Sequence, residues 1–468
     1  MLQKNIKTLF NCNLDIIING IESNSKNVKN GNLFICRVGI NSNGYDYIED
    51  AVKNGAVAIV CSKKPKIKIP YILVDDVNEN IAYIFEWFYG DINKNFKNII
   101  GITGTSGKTS IINIINHIIE NQYKSFFVGT NGISYMSKEE KDILNTTYPI
   151  EQYYKIMYDA YKQKLDTAII ELSSYGLKYN RIGNTLLDFA IVTNLSEAHL
   201  NEHKDFNDYI ESKLKIIDHI KKDGYLIINY DDKYKDKFIK KFAGNILTFG
   251  SNENADISFY NINCTLNDTS FIIKYKNRKY EVKTKLIGIT NIYNVCVSIL
   301  VANLVGVDIE KCIKYLSNYY VKGRMENYKN TIIDFAVTPI ALKENISFIN
   351  EHKKGRLISV IGKIEDREIN EYKKFGNIST KYSDYVIFTT DKNKTNKSLA
   401  VKYMTESLDN NNYEIILDRK EAIKKGITML KKYDTLYIVG CEYFFRTSYD
   451  KDINPYEIID AYKWHKDI

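Results

Sequence analysis

The stretch Ile99–Ser110, IIGITGTSGKTS, constrains the fold most, because an apolar run ends there in a glycine-punctuated loop closed by Lys-Thr just ahead of a helical pattern. Ile99 to Thr103 reads as a buried strand, and Ile111, Ile114, Ile115, Ile118 and Ile119 recur at helical spacing on one face. The loop therefore joins a strand to a helix. Gly101, Gly104 and Gly107 leave room for backbone N–H groups around phosphate oxygens, and the helix N-terminus adds partial positive charge. Gly104, Thr105, Ser106, Gly107, Lys108, Thr109 and Ser110 are the expected nucleotide-binding residues, with Lys108 on the terminal phosphates and the Thr109 hydroxyl on Mg²⁺. The spacing departs from the strict P-loop string: Ile102 stands five before Gly107, and a glycine comes one earlier, at Gly101.

At 468 residues the chain is too long for one ordinary core, so about three domains are expected. Its net charge of +8 is small for this length, and lysines are interleaved with acids throughout. That distribution argues against a nucleic-acid footprint and suits a solvated, lysine-rich surface with anionic small-molecule substrates. The seven cysteines are scattered and form no CxxC pair, so they read as reduced, with no disulfide framework or zinc site. No run approaches membrane-span length and residues 1–20 lack the order of a signal peptide, so a cytoplasmic protein is expected.

Residues 1–96 alternate a strand at Leu33–Cys36, a helix at Tyr47–Lys53 and a strand at Ala56–Cys61, which predicts a small α/β domain. Residues 97–320 carry strands at Thr167–Glu171, Phe189–Asn194 and Tyr225–Asn229 between helix-length stretches, the layout of a doubly wound parallel sheet with ligands at its strand ends. Glu171 ends one strand, and Thr193-Asn194 end another, followed by His199. A carboxylate and an imidazole facing a P-loop are groups that a divalent metal on a nucleotide needs. Residues 252–282 alternate as an antiparallel hairpin insertion, and a helix beginning near Asn291 and Asn294 follows. Residues 321–468 carry strands at Thr331–Phe335, Arg356–Gly362, Tyr385–Asp391 and Thr435–Gly440 with helices between, predicting a second, Rossmann-like sheet. Its strand ends bear Asp334, Asp366-Arg367, Asp391 and Glu442.

These segments, in this order, resemble the Mur ligase family, most closely the UDP-N-acetylmuramoyl-tripeptide synthetases of the MurE type. GITGTSGKTS is similar to the family loop GITGTNGKTT, whose upstream glycine accounts for the spacing. IIELSSYGLKYNRI resembles the EVSSHAL segment, and TNLSEAHLNEHKDFNDYIESK resembles the block containing TNL, DHLD and a carbamylated lysine. NIYN, VKGRME and IIDFAVTPIAL resemble FNxYN, VPGRME and VDYAHTPDAL, and SNSKNVKNGNLFI resembles the family's uridine-binding fold.

The resemblance implies an ATP-dependent amide ligase in peptidoglycan precursor synthesis. ATP phosphorylates a carboxylate of a UDP-muramoyl peptide, and the amine of an amino acid then attacks the acyl phosphate. It implies catalytic roles for Lys108, Lys213, His199 and Arg324, and metal ligation by Thr109, Glu171, His199 and a carbamylated Lys213. Asn291, Asn294, Arg324 and Asp334 lie on the nucleotide in this reading. Ser25 lies near the uridine, Thr146, Thr147, Ser173 and Arg181 near the muramoyl peptide, and Asp391 and Glu442 near the amino acid. A monomer is expected, without nucleic-acid or membrane partners.

Three positions depart from the family pattern: Ala198, Tyr175 and Val337 replace an aspartate and two histidines. They keep two alternatives open, a paralogous ligase acting on another carboxylate and a nucleotide-binding pseudo-ligase. Where diaminopimelate-adding members carry DNPR, this chain has Asp391-Lys392-Asn393-Lys394. Lysine offers a point charge but no bidentate contact, so the reading leans away from standard diaminopimelate and leaves the amino acid open.

Overall fold

The computed structural model describes residues 2–39, 42–135, 145–196, 203–363, 369–390, 398–440 and 455–460. Strand Asn98–Thr103 lies inside a ten-stranded sheet, between the parallel strands Leu187–Val192 and Thr167–Glu171. Parallel pairing continues through Ile220–Asn229, Asn245–Gly250 and Ile257–Cys264 on one side and Ser125–Gly129 on the other. Successive strand side chains point to opposite faces. Ile100, Ile102, Ile169 and Ile191 accordingly join one apolar cluster, while Ile99, Ala168, Ile170, Ala190 and Val192 join another.

The phosphate-loop helix, Lys108–Glu120, covers the first of these faces. Its isoleucines 111, 114, 115, 118 and 119 are at most 1 % exposed. Burying five such side chains contributes on the order of 10 kcal/mol before chain entropy is set against it. Helix Ile289–Val305 is apolar around most of its girth because it packs on that helix and on strands Asn245–Gly250 and Ile257–Cys264.

The hairpin expected as an insertion is instead part of this sheet. Thr269–Tyr275 and Arg278–Thr284 add antiparallel beyond Ile257–Cys264. One face of these strands, with Phe259, Phe271, Ile273 and Val282, continues the core beneath helix Ile289–Val305. A detached hairpin would leave that face in water.

The first domain holds a four-stranded parallel sheet, ordered Gly20–Glu22, Asn32–Ile35, Ala56–Cys61 and Tyr71–Leu73. Its helix Val77–Tyr89 shares an apolar cluster with the central sheet, and Phe85 lies 5.9 Å from Tyr154, ring centre to ring centre.

The third domain's sheet runs Glu326–Tyr328, Thr331–Asp334, Thr435–Val439, Leu357–Lys363, Tyr385–Thr390 and Tyr413–Ile415, parallel except for the first pair. The two outermost strands have three residues each, too short to declare themselves by alternation. Asn327 Nδ2 donates to Leu266 O at 2.7 Å, so the turn joining Ile257–Cys264 to Thr269–Tyr275 rests on the third domain. No helix among the described residues is long and apolar enough to cross a membrane.

A buried carboxylate pins the sheet of the third domain. Asp434 accepts from Arg356 Nη2 at 2.7 Å and from the amides of Arg356 and Lys431 at 2.8 and 2.9 Å. Burial opposes its ionisation, but these donors outweigh it and hold its pKa below the usual carboxylate range. A depressed carboxyl stabilises the fold above its unfolded pKa and ceases to do so as pH falls through the folded value. Asp434→Asn is therefore expected to lower the melting midpoint by several degrees at neutral pH, with the difference shrinking as the pH falls below the ordinary carboxylate range, as scanning calorimetry would measure.

Candidate active site

A cleft of about 840 Å³ opens between the carboxyl ends of the central strands and the third domain. The phosphate loop forms its floor, residues Gly104 to Ser110. Gly104 has φ +142°, and a Cβ there would fall 1.8 Å from Thr193 Oγ1. Only glycine lets the loop lie this close to the neighbouring strand end. Thr193 and Asn194 then hold the loop from that side: Thr193 Oγ1 donates to Ser106 O at 2.7 Å, and Ser106 N donates to Asn194 Oδ1 at 3.0 Å.

Lys108 Nζ donates to Gly104 O at 2.9 Å and to Thr105 O at 3.1 Å. Lys213, 1 % exposed on helix Phe206–Leu214, also donates to Gly104 O, at 2.8 Å. Two amines thus share one carbonyl oxygen. Burial, and then the nearby Lys108 amine, pull the Lys213 pKa well below the usual lysine value. Burial also lowers Lys108, with Glu171 opposing and Arg324 adding to the effect.

Glu171, at the end of its strand and 2 % exposed, accepts from Thr109 Oγ1 at 3.0 Å and from the Thr130 amide at 2.9 Å. A hydroxyl and a carboxylate at the phosphate loop are hard oxygen donors that fit Mg²⁺, which usually completes its shell with phosphate oxygens and water. Beside them, Thr147 Oγ1 donates to Glu171 O at 2.9 Å, and Ser173 caps the short helix Ser174–Lys178. Arg181 donates to Thr147 O at 2.6 Å and lies 4.9 Å from the centre of the Tyr175 ring. Tyr175 thus supplies a cation–π face where the family pattern has a histidine.

The opposite wall comes from the third domain. Met325 has φ +51°, a left-handed turn that presents Arg324 to the cleft, 4.5 Å from the Phe335 ring centre. Asp334 accepts from the Met325 amide at 3.1 Å, Asn345 Nδ2 at 2.7 Å and Tyr437 OH at 2.9 Å. Burial raises its pKa, although Asn345, Tyr437 and Arg324 oppose this.

The loop residues, Thr146, Glu171, Ser173, Arg181, Lys213, Asn291, Asn294, Arg324 and Asp334 all line this cleft. Thr147 is buried just beneath it, whereas Ser25 lies in the first domain, outside the lining. Ala198, His199, Asp391 and Glu442 fall outside the described residues, as do Asp366 and Arg367. Sequence reasoning missed Tyr209, whose hydroxyl lies 2.9 Å from Thr105 Oγ1 and whose ring centre is 4.7 Å from Lys213 Nζ. Its spacing of four before Lys213 was the available signal. Glu344 was also missed; it lines the third-domain side of the cleft, near Thr290 of helix Ile289–Val305 on the other side.

A strand-to-helix phosphate loop, faced across a cleft by an arginine from another domain, defines a nucleotide-dependent enzyme. Comparison with known proteins narrows the class. The Mur ligase middle domain matches residues 102–302, the Mur ligase glutamate ligase domain residues 323–441, and the Mur ligase catalytic domain residues 17–86. UDP-N-acetylmuramoyl-L-alanyl-D-glutamate–2,6-diaminopimelate ligase 1 of Clostridium acetobutylicum is 32 % identical over 91 % of this chain and 90 % of its own length. The corresponding ligase of Clostridioides difficile is 33 % identical over 97 % of this chain and 94 % of its own.

Among solved structures, one such diaminopimelate ligase aligns with TM-score 0.68 and 23 % identity, covering 98 % of this chain and 99 % of its own. MurF ligase from Thermotoga maritima in complex with ADP aligns with TM-score 0.68 and 20 % identity, covering 95 % of this chain and 99 % of its own. Both share the fold. The chain belongs to the Mur ligase family of ATP-dependent, amide-forming ligases, and within it to the MurE type.

Gly104→Ala is expected to weaken ADP binding at least about tenfold while leaving the far-ultraviolet circular dichroism unchanged, because the methyl group must push the loop off Thr193. Titration calorimetry with ADP measures it.

Proposed function

We propose that this chain adds an amino acid to UDP-N-acetylmuramoyl-L-alanyl-D-glutamate, through an acyl phosphate, at the expense of ATP. One observation carries the reading: Arg324 and Asp334 of the third domain line the same cleft as Lys108, Glu171 and Lys213. The working units in this reading are residues 1–96, which bind the UDP end, 97–320, which bind ATP, and 321–468, which close over both.

Lys108 and the helix N-terminus hold the γ-phosphoryl group as it passes to the acceptor carboxylate. The amine then attacks the acyl carbon, a C–N bond forms, the C–O bond to phosphate breaks, and the amine gives up a proton. Thr109 and Glu171 would hold Mg²⁺, which supplies charge neutralisation on the phosphates. His199 and Lys213 would hold a second ion, provided Lys213 is carbamylated. The environment of Lys213 supports that provision, since burial favours the free amine, the form that combines with CO₂. Arg324 contributes charge when the third domain closes, and Asp334 orients the nucleotide. Asn291 and Asn294 take the adenine end. Thr146, Thr147, Ser173 and Arg181 take the muramoyl peptide, Ser25 the uridine, and Asp391 and Glu442 the amino acid.

Val337 lines the cleft where the family pattern has a histidine, and this favours a nucleotide-binding pseudo-ligase as the second reading. Incubation with ATP, Mg²⁺, UDP-N-acetylmuramoyl-L-alanyl-D-glutamate and a panel of amino acids that includes diaminopimelate and lysine decides between them. Phosphate release with at least one amino acid is expected, lost by a factor on the order of 10²–10³ in Lys108→Ala and in Lys213→Ala. Silence across the panel, with ADP still bound, favours the pseudo-ligase.

A further inference from the structure

The short helix Ser174–Lys178 on the cleft wall meets Asp208 directly at its last residue and, through His203, at its first. At its first residue, Ser174 Oγ lies 2.9 Å from His203 Nε2, and the other ring nitrogen of His203 lies 3.3 Å from Asp208 Oδ2. At its last residue, Lys178 Nζ donates to the same Asp208 oxygen at 2.6 Å. The His203 side chain is fully buried, and Ser174 is 5 % exposed. Asp208 stands in the first turn of helix Phe206–Leu214, the helix that carries Lys213, and its oxygen also accepts from the Lys204 amide at 3.1 Å. Lys178, Asp208, His203 and Ser174 therefore stand in succession between two helices that face the site, hydrogen-bonded at the lysine and serine ends and joined in the middle by the 3.3 Å charge contact of His203 with Asp208.

We propose that His203 and Asp208 are positioning residues for the acceptor substrate. They fix helix Ser174–Lys178, and with it Ser173 and Arg181 at its two flanks, against the lysine-bearing helix. The proposal rests on the reading that Ser173 and Arg181 hold the muramoyl peptide. The phosphate loop is tied to the same helix by contacts of its own, Tyr209 to Thr105 and Lys213 to Gly104, and His203 also packs edge-on against the Tyr209 ring at 5.3 Å, so Ser174 is the member of the linkage that touches the acceptor side alone. The linkage sets two buried polar groups, His203 and Ser174, into this wall, where each loses water and must find a partner, while Lys178 and Asp208 stay partly exposed. Its geometric product is a fixed orientation of a one-turn helix too short to hold itself.

The test is titration of wild type and variants with UDP-N-acetylmuramoyl-L-alanyl-D-glutamate alone and with ADP alone, followed by KM and kcat for both substrates. Ser174→Ala, which leaves the packing of His203 on Tyr209 in place, is expected to weaken the acceptor about tenfold and to change ADP affinity less than about twofold, and His203→Ala to weaken the acceptor at least as much and more than it weakens ADP. His203→Gln, whose amide can meet both neighbours, is expected to recover most of the loss, and the double variant His203→Ala with Ser174→Ala to be no weaker than either single one. Tyr209→Phe is expected to show the reverse pattern, with ADP weakened and the acceptor spared. Unchanged acceptor affinity in both alanine variants overturns the proposal. So does an equal loss of acceptor and ADP that the glutamine variant fails to recover. Should His203→Ala not fold, Ser174→Ala carries the comparison. If wild type binds ADP but not this acceptor, the underlying assignment of the acceptor fails instead.

Discussion

Two lysine amines converge on one carbonyl oxygen, and the architecture of this site follows from that crowding. Lys108 and Lys213 come from different helices, yet both donate to Gly104. Two full positive charges a few ångströms apart in a buried place repel strongly, so the arrangement favours a neutral amine on one of them and an anion between them. Nucleotide phosphates supply such an anion. A carbamate on Lys213 would supply a second, and the loop glycines keep the backbone thin enough for both lysines to arrive.

The anionic side of this balance is built with equal economy. Glu171 is held by a hydroxyl from the phosphate-loop helix and an amide from the neighbouring loop, so its carboxylate has one orientation. Asp334 is held in the same manner by three donors of its own domain. Each wall of the cleft is therefore preassembled by bonds of its own. That division suits chemistry in which positioning and charge compensation dominate.

The architecture was legible from the sequence where information is local. Isoleucines at helical spacing announced the phosphate-loop helix, and the strand-to-loop transition at Thr103 required no distant partner. The residues at strand ends were legible for the same reason, because parallel sheets gather polar groups there. The hairpin at 252–282 was misplaced because sheet membership depends on pairing with Asn245–Gly250, which alternation alone does not specify. Tyr209, Glu344 and His203 were missed because their roles depend on neighbours brought in by folding. A tyrosine four before a lysine is ordinary until a threonine from the phosphate loop meets its hydroxyl.

The contact between Asn327 and the hairpin tip at Leu266 has a mechanical consequence. The third domain is joined to the central one covalently near residue 321, and it is also braced on this second point some sixty residues earlier in the chain. Ile287 of the central domain is also buried in the third domain's apolar cluster, so the two bodies meet at several places besides the covalent link. The turn between Ile257–Cys264 and Thr269–Tyr275 works like a bracket under a shelf, setting the height at which the arginine wall stands over the phosphate loop.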